Sequence, residues 1–338
     1  MTAPLTKGSR PLPAFVPRRA RPPIRLLLEA LEDRWLPAPM TFFVKNTNNT
    51  GPDSLQKAIL DANANPGLDT IQFEIAPASV QTIAPTVAQP LPPITSPLLL
   101  DGMAPAGFGG QVIVLNGASA GGVSGLDFEA GSDGSTVRGL VIQKFGVDGI
   151  LLHGTSGNLI VGNKIGTDFN GTAALGNAKA GVAIAGSATA NTVGGTASGS
   201  ANVISGNLLV GVYLYGSGTS GNVVLGNLIG TDVHGTAALG NRQTGLVIEA
   251  GATANTVGGT TTGSANVISG NGVYAAHTGN GLVILSAKGN VVVGNKIGTD
   301  VTGTAKVANI FDGVVLDGGA TDNTIGGSVS GAGNLISG

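Results

Sequence analysis

The feature that most constrains this chain is an internal repeat with a fixed long period. GNKIGTD begins at Gly162, GNLIGTD at Gly226 and GNKIGTD again at Gly294, offsets of 64 and 68. ANTVGG begins at Ala190 and Ala254 and DNTIGG at Asp322, with the same offsets. ANVISGN begins at Ala201 and Ala265, and GNLISG at Gly333, again 64 and 68 apart. Three independent markers keeping one spacing require a structure that repeats along one axis. The long unit divides in two. Short strands open at Gly149, Gly181, Gly211, Gly245, Gly281 and Gly313, in steps of 32, 30, 34, 36 and 32 residues. Each turn of the repeat holds three short β segments separated by Gly, Ser, Thr and Ala.

Apolar residues alternate within these segments, as in Val182 and Ile184, Val212 and Leu214, or Leu246 and Ile248. Alternation places one set inward. No segment can bury its apolar face alone, but stacked turns can. Gly and β-branched residues at this density disfavour helix; Gly is 57 of 338 residues. The expectation is an all-β solenoid of parallel strands, three per coil, with coils about 4.8 Å apart. A β-propeller needs blades of about 40–45 residues and four antiparallel strands, so the unit here is too short. Over roughly residues 90–338 the three-strand coil resembles the right-handed parallel β-helix of the pectate-lyase-like superfamily. Handedness follows from that resemblance and from the chirality of parallel crossovers.

Residues 41–90 read as an entry segment with the first coils, and residues 91–338 as the repeats. FFVKNTN is a strand, DSLQKAILDANANPG one helix and DTIQFEI another strand. Asp53 or Ser54 can cap the helix, and Leu55, Ala58, Ile59 and Ala62 recur at helical spacing. The run SLQKAILDAN resembles the opening of many bacterial surface β-helix proteins, with Gln56 and Lys57 departing from the usual pair. An amphipathic helix there covers the open end of a solenoid. At the other end, the last copy of the GNLISG motif is followed by no covering segment. An uncovered coil is expected either to continue in a longer chain or to stack end to end on a partner.

Residues 1–40 form a basic leader. Residues 1–38 hold seven Lys/Arg against three Asp/Glu, while the remaining residues hold ten against sixteen. An acidic body argues against nucleic-acid binding. Acidic residues and Arg34 interrupt the apolar run, so the leader is no ordinary secretory signal. Its LLEALEDRWLPA stretch resembles the amino-terminal motif of large surface or exported proteins of planctomycete-type bacteria. That resemblance implies export to an extracellular or cell-surface location. No uncharged apolar run reaches 18 residues, so no membrane span is expected.

The absence of Cys removes thiol nucleophiles and thiolate metal sites. One Asn recurs in each coil, at Asn158, Asn191, Asn222, Asn255, Asn290 and Asn323. Stacked at one turn, their amides form a structural ladder. Asp168, Asp232 and Asp300 recur in IGTD, followed by the longest insertions. They are weak calcium candidates, because Asn170 becomes His234 and Thr302 in the later copies. Asx-turn bonding is the main expectation there, with a ridge that meets a partner as another. No cofactor is expected.

For catalysis, the nearest constellation is Asp127, Glu129, Arg138, Lys144 and Asp148, which could converge on one solenoid face. Glycoside hydrolysis needs two carboxylates at a defined separation. The adjacent Asp pair and Gly-His-Gly of the polygalacturonase-like pattern are missing, since none of His153, His234 and His277 lies in Gly-His-Gly. Tyr213, Tyr215 and Tyr274 are candidates for sugar stacking, and the first two share a strand face opposite Val212 and Leu214. Two functions remain: a non-catalytic stalk, adhesion or carbohydrate-binding β-helix meeting polysaccharide or surface proteins, or a polysaccharide lyase or glycoside hydrolase.

Overall fold

The computed structural model describes residues 1–2, 38–272 and 279–338. The LEDRWLP leader, Tyr274 and His277 lie outside the described residues. From Thr41 onward the chain winds as a right-handed parallel β-helix. Its described strands fall into three parallel sheets of ten, nine and seven strands, each strand hydrogen-bonded to its counterpart in the next coil.

The register follows from the alternating pattern. In the seven-stranded sheet Ile150, Val182, Val212, Leu246 and Leu282 pair in succession. So do Leu152, Ile184, Leu214, Ile248 and Ile284. All ten are fully buried. Each such side chain contributes roughly 1.5–3 kcal/mol of burial, which no single coil can realise by itself. The alternate strand positions of this sheet point away from that core.

At the amino end Thr41–Val44 and Asp69–Phe73 are the first two strands of the ten-stranded sheet. Between them runs the helix Leu55–Ala64. Ser54 caps it, its side chain accepting the Lys57 N–H at 3.2 Å. Leu55, Ala58, Ile59 and Ala62 are buried and join the solenoid core. In the last coil Leu316, Leu335 and Ile336 are exposed.

Three asparagine ladders, not one, run along the coils. The expected ladder extends from Asn158 to Asn323, and each Nδ2 and backbone N–H donates to the Oδ1 of the Asn one coil on. A second runs through Asn163, Asn202, Asn227, Asn266, Asn295 and Asn334. A third runs through Asn177, Asn207, Asn241, Asn271 and Asn309. They bond at turns where the backbone leaves its sheet, so they satisfy groups that the strand ladders cannot reach.

Candidate functional site

The outer face of the seven-stranded sheet varies from coil to coil. One outward row reads Asp127, Leu151, Ala183, Tyr213, Val247, Val283 and Val315. In the next row His153 pairs with Ala185, and Tyr215, Glu249, Leu285 and Asp317 follow one another. Ala180, Ala183, Val210 and Val247 form a small buried apolar cluster outside the main core, against which Tyr213, Tyr215 and Leu209 pack.

The segments entering these strands align into rows of their own. Leu209 N–H donates to Lys179 O at 3.1 Å and Gln243 N–H to Leu209 O at 2.8 Å. Together with the strand residues they enclose a cavity of about 340 Å³. Ala180, Leu209, Val210 and Val247 give it an apolar lining; Asp148, Lys179, Gln243 and Glu249 supply polar groups. Tyr213 and Tyr215 complete it, their rings stacked with centroids 4.4 Å apart and planes inclined by 25°.

The electrostatics are those of a partly dry, acidic site. The Tyr213 hydroxyl donates to Glu249 Oε1. Burial first, and then that bond, push the phenol well above its ordinary range, so it stays neutral. Burial and Asp148 raise Tyr215 too. Burial also raises the Asp148 carboxyl, against the opposing effect of Ala180 N–H, which donates to its Oδ1 at 2.9 Å, and of nearby Lys179. Asp127, raised by burial and by Glu129, keeps a buried Oδ1 with no hydrogen-bond partner among the described residues.

The five residues that could have converged are divided by the fold. Asp127, Glu129 and Asp148 lie on the seven-stranded side, where Asp148 joins the cavity. Arg138 belongs to the ten-stranded sheet, where it forms a bidentate pair with Asp101 at 2.9 and 2.7 Å. Lys144 is exposed at the corner after Leu140–Gln143, in the nine-stranded sheet. Three strands per coil explain the split, because a short stretch of chain visits different faces.

Asp168, Asp232 and Asp300 each organise their own loop. Asp168 Oδ1 accepts the N–H groups of Thr172 and Ala173, and Asp232 Oδ1 those of Thr236 and Ala237. Asp300 accepts from Gly303, Thr304, Ala305 and the Thr302 hydroxyl. These loops close as small hairpins that stack over the intervening coils through Val233 N–H to Gly171 O and Val301 N–H to Gly235 O. Among the described residues no group of three or more His, Cys, Asp or Glu is placed to share a metal ion.

The cavity partners Lys179, Gln243 and Glu249 were not legible as a site. The one available signal was Tyr215 and Glu249 at the same strand position of consecutive coils. No protein-family description matches the chain. No curated protein matches it either. Among solved structures it is similar to the A-module of the mannuronan C-5 epimerase AlgE4 of Azotobacter vinelandii, at 14% identity, covering 88% of this chain and 100% of that one, with a TM-score of 0.42. The periplasmic alginate epimerase AlgG is similar at 12% identity, over 77% of this chain and 69% of that one, TM-score 0.38. The catalytic domain of a GH87 α-1,3-glucanase follows at 12%, 83%, 66% and 0.23 respectively. Likeness at this level does not bear on what the cavity binds.

Proposed function

We propose that this chain is an exported, non-catalytic β-helix that binds carbohydrate at the Tyr213–Tyr215 cavity. One observation carries the reading: two stacked aromatic rings meet a buried apolar patch and hydrogen-bonding groups in one cavity on the outward face. A pyranose ring has an apolar C–H face and a belt of hydroxyls, and this combination suits both. The polar groups that could take its hydroxyls are Asp148, Lys179, Gln243 and Glu249.

The phenol of Tyr213 is not poised as a general base. A general base needs a pKa near the working pH, and here burial and Glu249 drive the phenol away from it. Export is supported by the LEDRWLP-type leader. Among the described residues no helix is long and apolar enough to cross a membrane.

A glycan array followed by calorimetry tests the reading. Tyr213→Ala and Tyr215→Ala should each weaken binding of the best array ligand by about fivefold, the scale of one lost ring contact of roughly 1 kcal/mol. Binding unaffected by both substitutions would refute the placement. Release of reducing ends or unsaturated products would refute the non-catalytic half.

A further inference from the structure

We infer that the cavity selects saccharides carrying a free, protonated amine. This deepens the carbohydrate-binding reading and rests on it. The cavity contains two carboxylates, Asp148 and Glu249, and one cation, Lys179. Asp148 is only 6% exposed; its Oδ1 is taken by Ala180 N–H, and its Oδ2 has no partner among the described residues. Glu249 accepts the Tyr213 hydroxyl through Oε1, leaving Oε2 free among those residues. Lys179 reaches no carboxylate within ion-pair distance among them. Two carboxylates against one cation therefore leave the cavity with an excess of negative charge, which Lys179 offsets only in part.

Three ligand classes meet this arrangement differently. A uronate would bring a carboxylate against two partly desolvated carboxylates, a repulsion strengthened where water is excluded. A neutral sugar gains hydrogen bonds and ring stacking only. An ammonium gains both carboxylates and, beside the rings, the negative faces of Tyr213 and Tyr215. The aromatic pair and the apolar lining favour an amine carried on a sugar ring over a bare amine. The volume of about 340 Å³ is at the small end for ligand cavities, matching one sugar unit of an oligomer.

Calorimetry on the full chain at pH 6 and low salt decides. The probes are the glucosamine tetramer, its fully N-acetylated counterpart and a uronate tetramer. The glucosamine tetramer is expected to bind at least about tenfold tighter than the acetylated one, with the uronate weakest. Asp148→Asn and Glu249→Gln should erase most of that preference. Lys179→Met, a change at an exposed side chain, should tighten amine binding by about threefold and stays informative if Asp148→Asn misfolds. Equal or tighter binding of the acetylated or uronate tetramer, or weaker amine binding by Lys179→Met, overturns the inference and leaves carbohydrate binding standing. Failure of every neutral, acidic and basic saccharide to bind overturns both.

Discussion

Asn222→Ala removes one rung from the middle of a ladder, and its cost can be worked from the bonds that disappear. Asn222 Oδ1 accepts from Asn191 N–H and Asn191 Nδ2, both at 3.0 Å. Its Nδ2 donates to Ala188 O at 3.0 Å and Asn255 Oδ1 at 2.9 Å. Losing the amide does not orphan all of these groups equally. Ala188 O still receives Ser220 N–H at 3.3 Å, Asn255 Oδ1 still receives Asn222 N–H at 3.0 Å, and Asn191 Nδ2 still reaches Thr155 O at 3.0 Å. The Asn191 backbone N–H alone loses its acceptor outright. A stranded buried donor costs about 1–3 kcal/mol and each merely weakened group about 0.5, which puts the substitution at roughly 3 kcal/mol. Urea unfolding followed by circular dichroism gives the total, and amide exchange localises it, since a solenoid need not unfold in one step. Asn170→Ala, on an exposed loop residue, is the control and should stay within about 0.5 kcal/mol. A cost below about 1 kcal/mol, or an Asn191 amide as protected as in the parent, would refute the ladder's energetic role.

Stability should be insensitive to chelators, because the loop carboxylates are engaged by their own backbone; a calcium-dependent rise of several degrees in Tm, abolished by Asp232→Ala, would contradict this. Asp300 is held down to about 2 by Ala305 N–H, the Thr302 hydroxyl and the neighbouring Thr304 and Gly303 N–H groups. A depressed folded pKa stabilises above the unfolded value of 3.8 and loses that contribution as pH falls towards 2. Carboxyl NMR shifts should therefore show the Asp300 loop loosening only in that window, and a titration near 4 would count against the bonding described. Gly211→Ala would place a Cβ 2.6 Å from Gly245 O and 2.7 Å from Ile229 Cγ2, in the tightest approach between coils there. We expect a loss of about 1–3 kcal/mol in urea unfolding, and an unchanged midpoint would mean that the coils can slide apart.

The solenoid was legible because its physics repeats. Inward positions such as Val212 and Leu214 must be apolar in every coil, and a Gly must precede each strand of the seven-stranded sheet where the next coil passes close. The entry helix was legible from Ser54 and its four apolar positions. Two of the three ladders were missed for a simple reason: Asn163, Asn202 and Asn227 sit inside the very motifs that define the period, where they read as punctuation. Their role depends on a turn geometry that spacing does not specify. The cavity was harder still. Lys179, Leu209 and Gln243 are 30 and 34 residues apart and follow loops of unequal length, so only the backbone path brings them into one row.

A stacked sheet has a nearly flat outer face, which explains why function is poorly encoded in the repeat itself. A cavity arises on such a face only where a tall side chain stands beside short ones in neighbouring coils. Tyr213 stands between Ala183 and Val247 in its row, and Val210 at the strand entrance is short as well. If Tyr occupied the same position in every coil, the rings would tile into a continuous ridge and the concavity would vanish. Apart from the small cluster of Ala180, Ala183, Val210 and Val247, the outward rows lie outside the main core, so such departures cost the solenoid little stability. In this chain a binding site must therefore be sought where the repeat fails on the outside while holding on the inside, and Tyr213, Tyr215 and Glu249 meet that condition together.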